Sequence, residues 1–90
     1  MLARQVFYEG RVQGVGFRYT IRQIATGFEI SGNIRNLPDG RVELLALGAS
    51  EEVAAFLQAI RDSSLASFIR KETPHDLHTP PPLRGFEILP

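Results

Sequence analysis

Arg18 closes the stretch Gly10-Arg-Val-Gln-Gly-Val-Gly-Phe-Arg18, in which three glycines lead up to a cation. Gly10, Gly14 and Gly16 allow the backbone to bend sharply and to approach a ligand closely. A loop of this kind that runs into a helix can turn successive N–H groups inward at the positive helix end, forming a nest for an anion. The two common nucleotide loops do not fit. A P-loop needs Lys and Ser/Thr where Phe17 and Arg18 stand, and the dinucleotide fingerprint needs a third Gly where Tyr19 stands. A cation in the first helical turn faces the positive end of the dipole, an unfavourable placement of roughly 0.3–1 kcal/mol. An anion bound between loop and Arg18 would reverse that sign. The competing reading is a solvated Arg after an ordinary loop, and Arg22, one turn later, reads as solvated or ion-paired.

Other chemistries are narrowed by what the chain contains. Zero Cys removes disulfides, thiolate metal ligands and Cys nucleophiles, and fits a reducing cytoplasm. The two histidines, His75 and His78, stand three apart beside Asp76, a metal-like spacing, but among prolines and short of a donor set, so no metal is expected. Formal net charge is zero, which speaks against a nucleic-acid binder. The charge is uneven: residues 1–41 carry six Arg against three acids, whereas 42–90 carry four bases against seven acids. Nine of the ten bases are Arg, the planar, bidentate partner of carboxylate and phosphate. A small anionic ligand near the N-terminal half is the expectation. There is no apolar run long enough for a membrane span, and Met-Leu-Ala-Arg does not open a signal peptide.

The elements that must position Arg18 follow from periodicity. Val6, Tyr8 and Val12 recur at even spacing and predict a first strand over 5–12. Phe17, Ile21, Ile24, Ala25 and Phe28 form one stripe of a helix with Gly27 as its stop. Ile30, Gly32 and Ile34 alternate as a second strand, and Asn36-Leu-Pro-Asp-Gly40 reads as a turn, with Asn36 at its first position. Val42, Leu44 and Ala46 line one face of a third strand. Ser50 is placed to cap a second helix, with Glu51 and Glu52 in its first turn and Val53, Phe56, Leu57 and Ile60 as its buried stripe. Phe68, Ile69 and the polar residues after them read as a fourth strand, confined to a sheet edge by Pro74, and Gly85–Leu89 closes the chain as a short strand. The phenylalanines fit packing positions better than base-stacking ones.

Ninety residues suffice for one domain, with 43% apolar and 22% charged residues near the globular average. The order β-α-β-β-α-β plus a final strand predicts an α+β, ferredoxin-like split β-α-β sandwich. Two helices cover one face of a four- to five-stranded antiparallel sheet. A right-handed crossover makes the first two strands parallel, so both end at the same edge of the sheet. The Gly-rich loop and Asn36 should therefore meet in space.

The block Gly10–Arg18, together with Gly32-Asn-Ile-Arg-Asn-Leu-Pro-Asp-Gly-Arg-Val-Glu43, resembles the acylphosphatase family. The first block is similar to that family's phosphate loop and the second to its Gly-aromatic-Val-Arg-Asn motif. The separation of the blocks fits, and the similarity extends along the chain as a single domain over 1–90. The resemblance implies a metal-independent, cofactor-free hydrolase that cleaves carboxyl-phosphate anhydrides to carboxylate and inorganic phosphate. It implies that Arg18 is the phosphate-binding arginine. Backbone donors come from Gln13, Gly14, Val15, Gly16 and Phe17, and Asn36 positions the attacking water. It also suggests a monomer in the cytoplasm with no nucleic-acid or membrane partner. Two departures stand out: Asn33 replaces the usual aromatic after Gly32, and the fourth strand and Pro80-Pro-Pro82 run differ from the valine-rich family form.

The chemistry asks for little. An acyl phosphate departs as a carboxylate, so no general acid is required. Transfer through a loose transition state asks for positioning and for donors aimed at spread negative charge. A non-catalytic anion-binding domain of the same fold is the alternative. An RNA-binding sheet is disfavoured because the aromatic ribonucleoprotein signature is missing.

Overall fold

Alternating and helical periodicities resolve into eight elements in the computed structural model, which describes residues 1–90. They are β1 (Leu2–Gly10), α1 (Phe17–Ala25), β2 (Ile30–Asn36), β3 (Val42–Gly48), α2 (Ser50–Arg61), a 3-10 turn (Ser64–Phe68), β4 (Ile69–Asp76) and β5 (Phe86–Ile88). The strands form one sheet in the order β4-β1-β3-β2-β5. β3 runs antiparallel to both β1 and β2, which makes those two parallel to each other, as a right-handed crossover requires. Both therefore end at the same sheet edge, and α1 begins there.

The sheet is mixed, not purely antiparallel, because β5 pairs in parallel with β2. The path of residues 77–85 explains this. Asp76 pairs with Arg4 on one edge, and Phe86 pairs with Gly32 on the other, in the same cross-sheet row. The intervening chain, stiffened by Pro80-Pro-Pro82, must cross one end of the sheet, a width of about 19 Å for four strand spacings. Nine residues near the polyproline rise of ~3.1 Å cover that distance. Having crossed at that end, the chain can only run back toward the other. This direction delivers Ile88 and Leu89 to the edge where β1 and β2 finish.

The helices lie on one face of the sheet. Val6 and Tyr8 of β1, Ile34 of β2, Val42 and Leu44 of β3, Phe17 and Ile21 of α1, and Val53, Phe56 and Ile60 of α2 are fully buried in one cluster. Phe56 bridges Phe28 and Phe86, with ring centroids 5.9 Å from each. The buried stripe expected of α2 is the one found.

Several boundaries differ from expectation. β1 starts at Leu2 and ends at Gly10; Val12 is buried, but in the loop beyond the strand. α1 stops at Ala25, so Phe28 packs from the following turn. Ser50 is the first residue of α2, not its cap, and Ala49 holds that position without a side-chain hydrogen bond. Ser63 caps the 3-10 turn, which the periodicity did not indicate, by accepting from Leu65 N–H at 3.1 Å. The turn after β2 spans Leu37–Gly40, closed by Gly40 N–H donating to Leu37 C=O at 3.1 Å. Asn36 is instead the last residue of β2, paired with Val42.

Gly32 illustrates how tightly β5 is held. A methyl group there would collide with the Leu45 carbonyl and lie 3.1 Å from the Phe86 ring. Gly32→Ala is expected to lower stability by about 1–3 kcal/mol through overpacking, read as a lower urea midpoint. An unchanged midpoint would show that the Leu45 carbonyl and the Phe86 ring give way to the added methyl without cost. Asn33, where the resemblance leads one to expect an aromatic, sits across from Leu45 and Glu87, in the alternation that points away from Ile34 and the core.

Candidate active site

The loop between β1 and α1 reaches the helix with Gly14 at φ 79° and Gly16 at φ 75°. A Cβ at either would touch nothing within 4 Å, so glycine is needed for left-handed backbone, not for space. Val15 between them has no positive φ. This alternation turns consecutive N–H groups toward one side. None of the N–H groups of Gln13 to Gly16 donates to a backbone carbonyl, and the first-turn N–H groups of α1 have no intrahelical acceptors by construction. Gly16 occupies the cap position without a side-chain acceptor, and the first turn of α1 contains no acid. By contrast, α2 carries Glu51 and Glu52 in its first turn. The positive end of α1 thus has no acidic side chain of its own first turn to compensate it.

A cavity of about 170 Å³ opens at this point, lined by Val12, Gly14, Gly16, Phe17, Arg18, Tyr19, Asn36 and Ile88. Five of the seven nominated residues thus meet in it. Gln13 and Val15 do not line it. The Gln13 side chain instead donates from Nε2 to the carbonyls of Leu37 (2.9 Å) and Arg41 (3.0 Å), tying the loop to the turn after β2. That turn is itself braced: Asp39 accepts from Arg41 N–H at 3.0 Å and from Arg41 Nε at 2.8 Å. The Arg41 backbone N–H, chief among these contacts, holds the Asp39 carboxyl below its ordinary pKa. The edge shared by β1 and β2 is therefore fixed by side chains as well as by topology.

Arg18 donates from Nη1 to the Leu89 carbonyl at 3.1 Å. No carboxylate lies within ion-pairing distance of Arg18 or Arg22. The guanidinium is thus oriented by a backbone oxygen from the chain beyond β5 while its charge stays uncompensated. Asn36 contributes a different feature. Its Oδ1 is buried and accepts from no protein donor. Buried amide oxygens are ordinarily hydrogen-bonded, so this one is an unmet acceptor on a residue that lines the cavity.

Tyr8 and His75 do not line the cavity. Tyr8 packs edge-on against Phe17, at 5.5 Å between centroids, and is fully buried. Burial, reinforced by Glu72, pushes its phenol pKa up and keeps it protonated. His75 packs edge-on against Phe7 at 5.8 Å, and it forms no cluster with two or more other His or acidic groups. A larger concavity of about 550 Å³ involves Met1, Glu29, Ile30, Gly48, Glu52 and Leu83 among its walls. It carries two carboxylates and no Arg or Lys, the wrong sign for an anion. Tyr19, Ile88 and the Leu89 carbonyl were not singled out by sequence reasoning. Only the adjacency of Tyr19 to Arg18 could have pointed to one of them.

The sequence and the fold are both similar to those of known proteins. A model of the acylphosphatase family matches residues 4–88. The chain is similar to an acylphosphatase of Bacillus velezensis, 39% identical over 88 residues and covering 98% of both chains. It is also 40% identical over 83 residues to an acylphosphatase of Trichormus variabilis, covering 92% of this chain and 81% of that one. Its fold is similar to the crystal structure of acylphosphatase from Bacillus subtilis, with a TM-score of 0.88, 32% identity and 99% coverage of both chains.

Proposed function

Because the chain belongs to the acylphosphatase family, hydrolases of acyl phosphates, we propose that it performs this reaction in the cavity shared by Arg18 and Asn36. The convergence of unpaired N–H donors, an uncompensated guanidinium and an orphaned amide oxygen in one small cavity carries the reading. The phosphoryl oxygens sit against the N–H groups of residues 13–17 and the Arg18 guanidinium. Asn36 Oδ1 accepts a hydrogen bond from a water and directs its lone pair at phosphorus.

The new bond forms between the water oxygen and phosphorus as the phosphorus–acyl oxygen bond breaks. The bonding pair leaves on the carboxylate. Both water protons remain with the phosphate product, giving carboxylate and dihydrogen phosphate from the dianionic substrate and water. No protein acid needs to protonate so good a leaving group. The site supplies donors for the charge on the equatorial oxygens and alignment of the nucleophile, the two demands of a loose transition state. We read residues 1–90 as one domain acting as a monomer in the cytoplasm.

Selectivity tests this reading. Hydrolysis of an acyl phosphate should persist in EDTA, and an alkyl phosphate monoester should turn over far more slowly. Comparable rates on the two substrates, or loss on chelation that added metal restores, would contradict the mechanism. Phosphate binding without turnover of any acyl phosphate would leave only an anion-binding domain.

A further inference from the structure

Only three large hydrophobic side chains of this chain remain exposed: Met1 at the terminus, Val15 at 41% and Tyr19 at 58%. One of the three, Tyr19, lines the phosphate cavity, and Val15 lies on the loop beside it, between Gly14 and Gly16, without lining it. Isolated exposed apolar residues are ordinary, but here the chain buries its large side chains elsewhere and leaves these two at and beside the site. Tyr19 has no packing duty in α1, since Phe17, Ile21 and Ala25 supply the buried face. Its ring is nevertheless held. The Arg22 guanidinium lies 5.9 Å from the ring centroid, within cation–π range, and no carboxylate draws Arg22 away.

We propose that Tyr19 is the acyl-group contact of the site and biases the enzyme toward acyl phosphates with aromatic or bulky apolar acyl groups. The assignment rests on the reading that the phosphoryl group occupies the nest. In an in-line displacement the leaving oxygen lies opposite the attacking water. Water is held by Asn36 at the end of β2, whereas Tyr19 approaches the cavity from the first turn of α1. An acyl chain leaving the nest therefore has an exposed aromatic face beside it. Ring-on-ring contact adds to the burial of apolar area and favours an aroyl group over acetyl. The contact is made in the ground state and transition state alike, so it lowers KM and leaves kcat nearly unchanged.

The test compares benzoyl phosphate with acetyl phosphate in the wild type, Tyr19→Ala and Tyr19→Phe. Tyr19→Ala should raise KM for benzoyl phosphate roughly three- to tenfold, the scale of one aromatic contact. For acetyl phosphate KM should stay within about twofold, with kcat on both substrates little changed. Tyr19→Phe should keep the wild-type preference, because the ring and not the hydroxyl is used. Competitive inhibition by inorganic phosphate, which reads the nest alone, should be unaltered in both variants. An equal rise in KM for the two substrates, an unchanged KM for benzoyl phosphate, or weakened phosphate inhibition would overturn the assignment. The underlying reading fails separately: absence of any competitive inhibition by inorganic phosphate in the wild type would remove the nest itself.

Discussion

Arg18→Ala should fold and lose on the order of 10³–10⁵ in turnover of an acyl phosphate, the scale typical of a transition-state arginine. The guanidinium spends one donor on the Leu89 carbonyl and has no carboxylate partner, so its charge is directed at the cavity. Stability should change little. Removing a cation from the positive end of α1 relieves roughly 0.3–1 kcal/mol, and losing the bond to Leu89 costs a similar amount, about 0.5–1.5 kcal/mol. Arg18→Lys should recover little activity, because a point charge cannot hold Leu89 and the phosphoryl oxygens with one fork. Thermal unfolding confirms that each variant is folded, and initial rates on benzoyl phosphate give the loss. A folded Arg18→Ala protein with near wild-type turnover would remove Arg18 from the mechanism.

Asn36→Ala should separate chemistry from binding. If the amide oxygen only aligns water, the nest and Arg18 remain intact, and inorganic phosphate still raises the melting temperature. At a hundred times its Kd, phosphate stabilises the native state by about 2.7 kcal/mol in both proteins. Turnover should meanwhile fall by roughly 10²–10³, as for loss of a preorganised polar group. A turn-forming role predicts the reverse, lower stability with full turnover per folded molecule. The structure already weakens that alternative, since the turn begins at Leu37 and the Asn36 oxygen bonds to no local backbone group. Unchanged turnover in the folded variant would exclude Asn36 from the reaction.

What could be read from the residues was what repeats. The stripe Val53, Phe56, Leu57 and Ile60 has the helical period and is buried as a unit. The meeting of loop and Asn36 followed from the handedness of one crossover and is seen in the shared cavity. Features that depend on where a hydrogen bond begins were not legible. Val12 keeps the spacing of β1 and is buried, yet the ladder has already ended at Gly10. Asn36 and Leu37 differ as turn openers by a single carbonyl, and Ser50 and Ala49 as caps by a single dihedral pair. The direction of β5 depends on which end of the sheet residues 77–85 cross, and apolar alternation in Phe86 and Ile88 says nothing about that. The contact from Leu89 to Arg18 uses a backbone oxygen, invisible to any pattern of side chains. Likewise the exposure of Tyr19 became visible only once Phe17, Ile21 and Ala25 were seen to fill the buried face of α1.

The central claim is that water held beside Asn36 attacks phosphorus in the nest, not the acyl carbon. Hydrolysis of benzoyl phosphate in ¹⁸O-enriched water reports this directly by mass spectrometry of both products. The mechanism predicts the label in inorganic phosphate and none in benzoate. Label in benzoate would mean attack at the carbonyl and would contradict the roles assigned to the loop, Arg18 and Asn36.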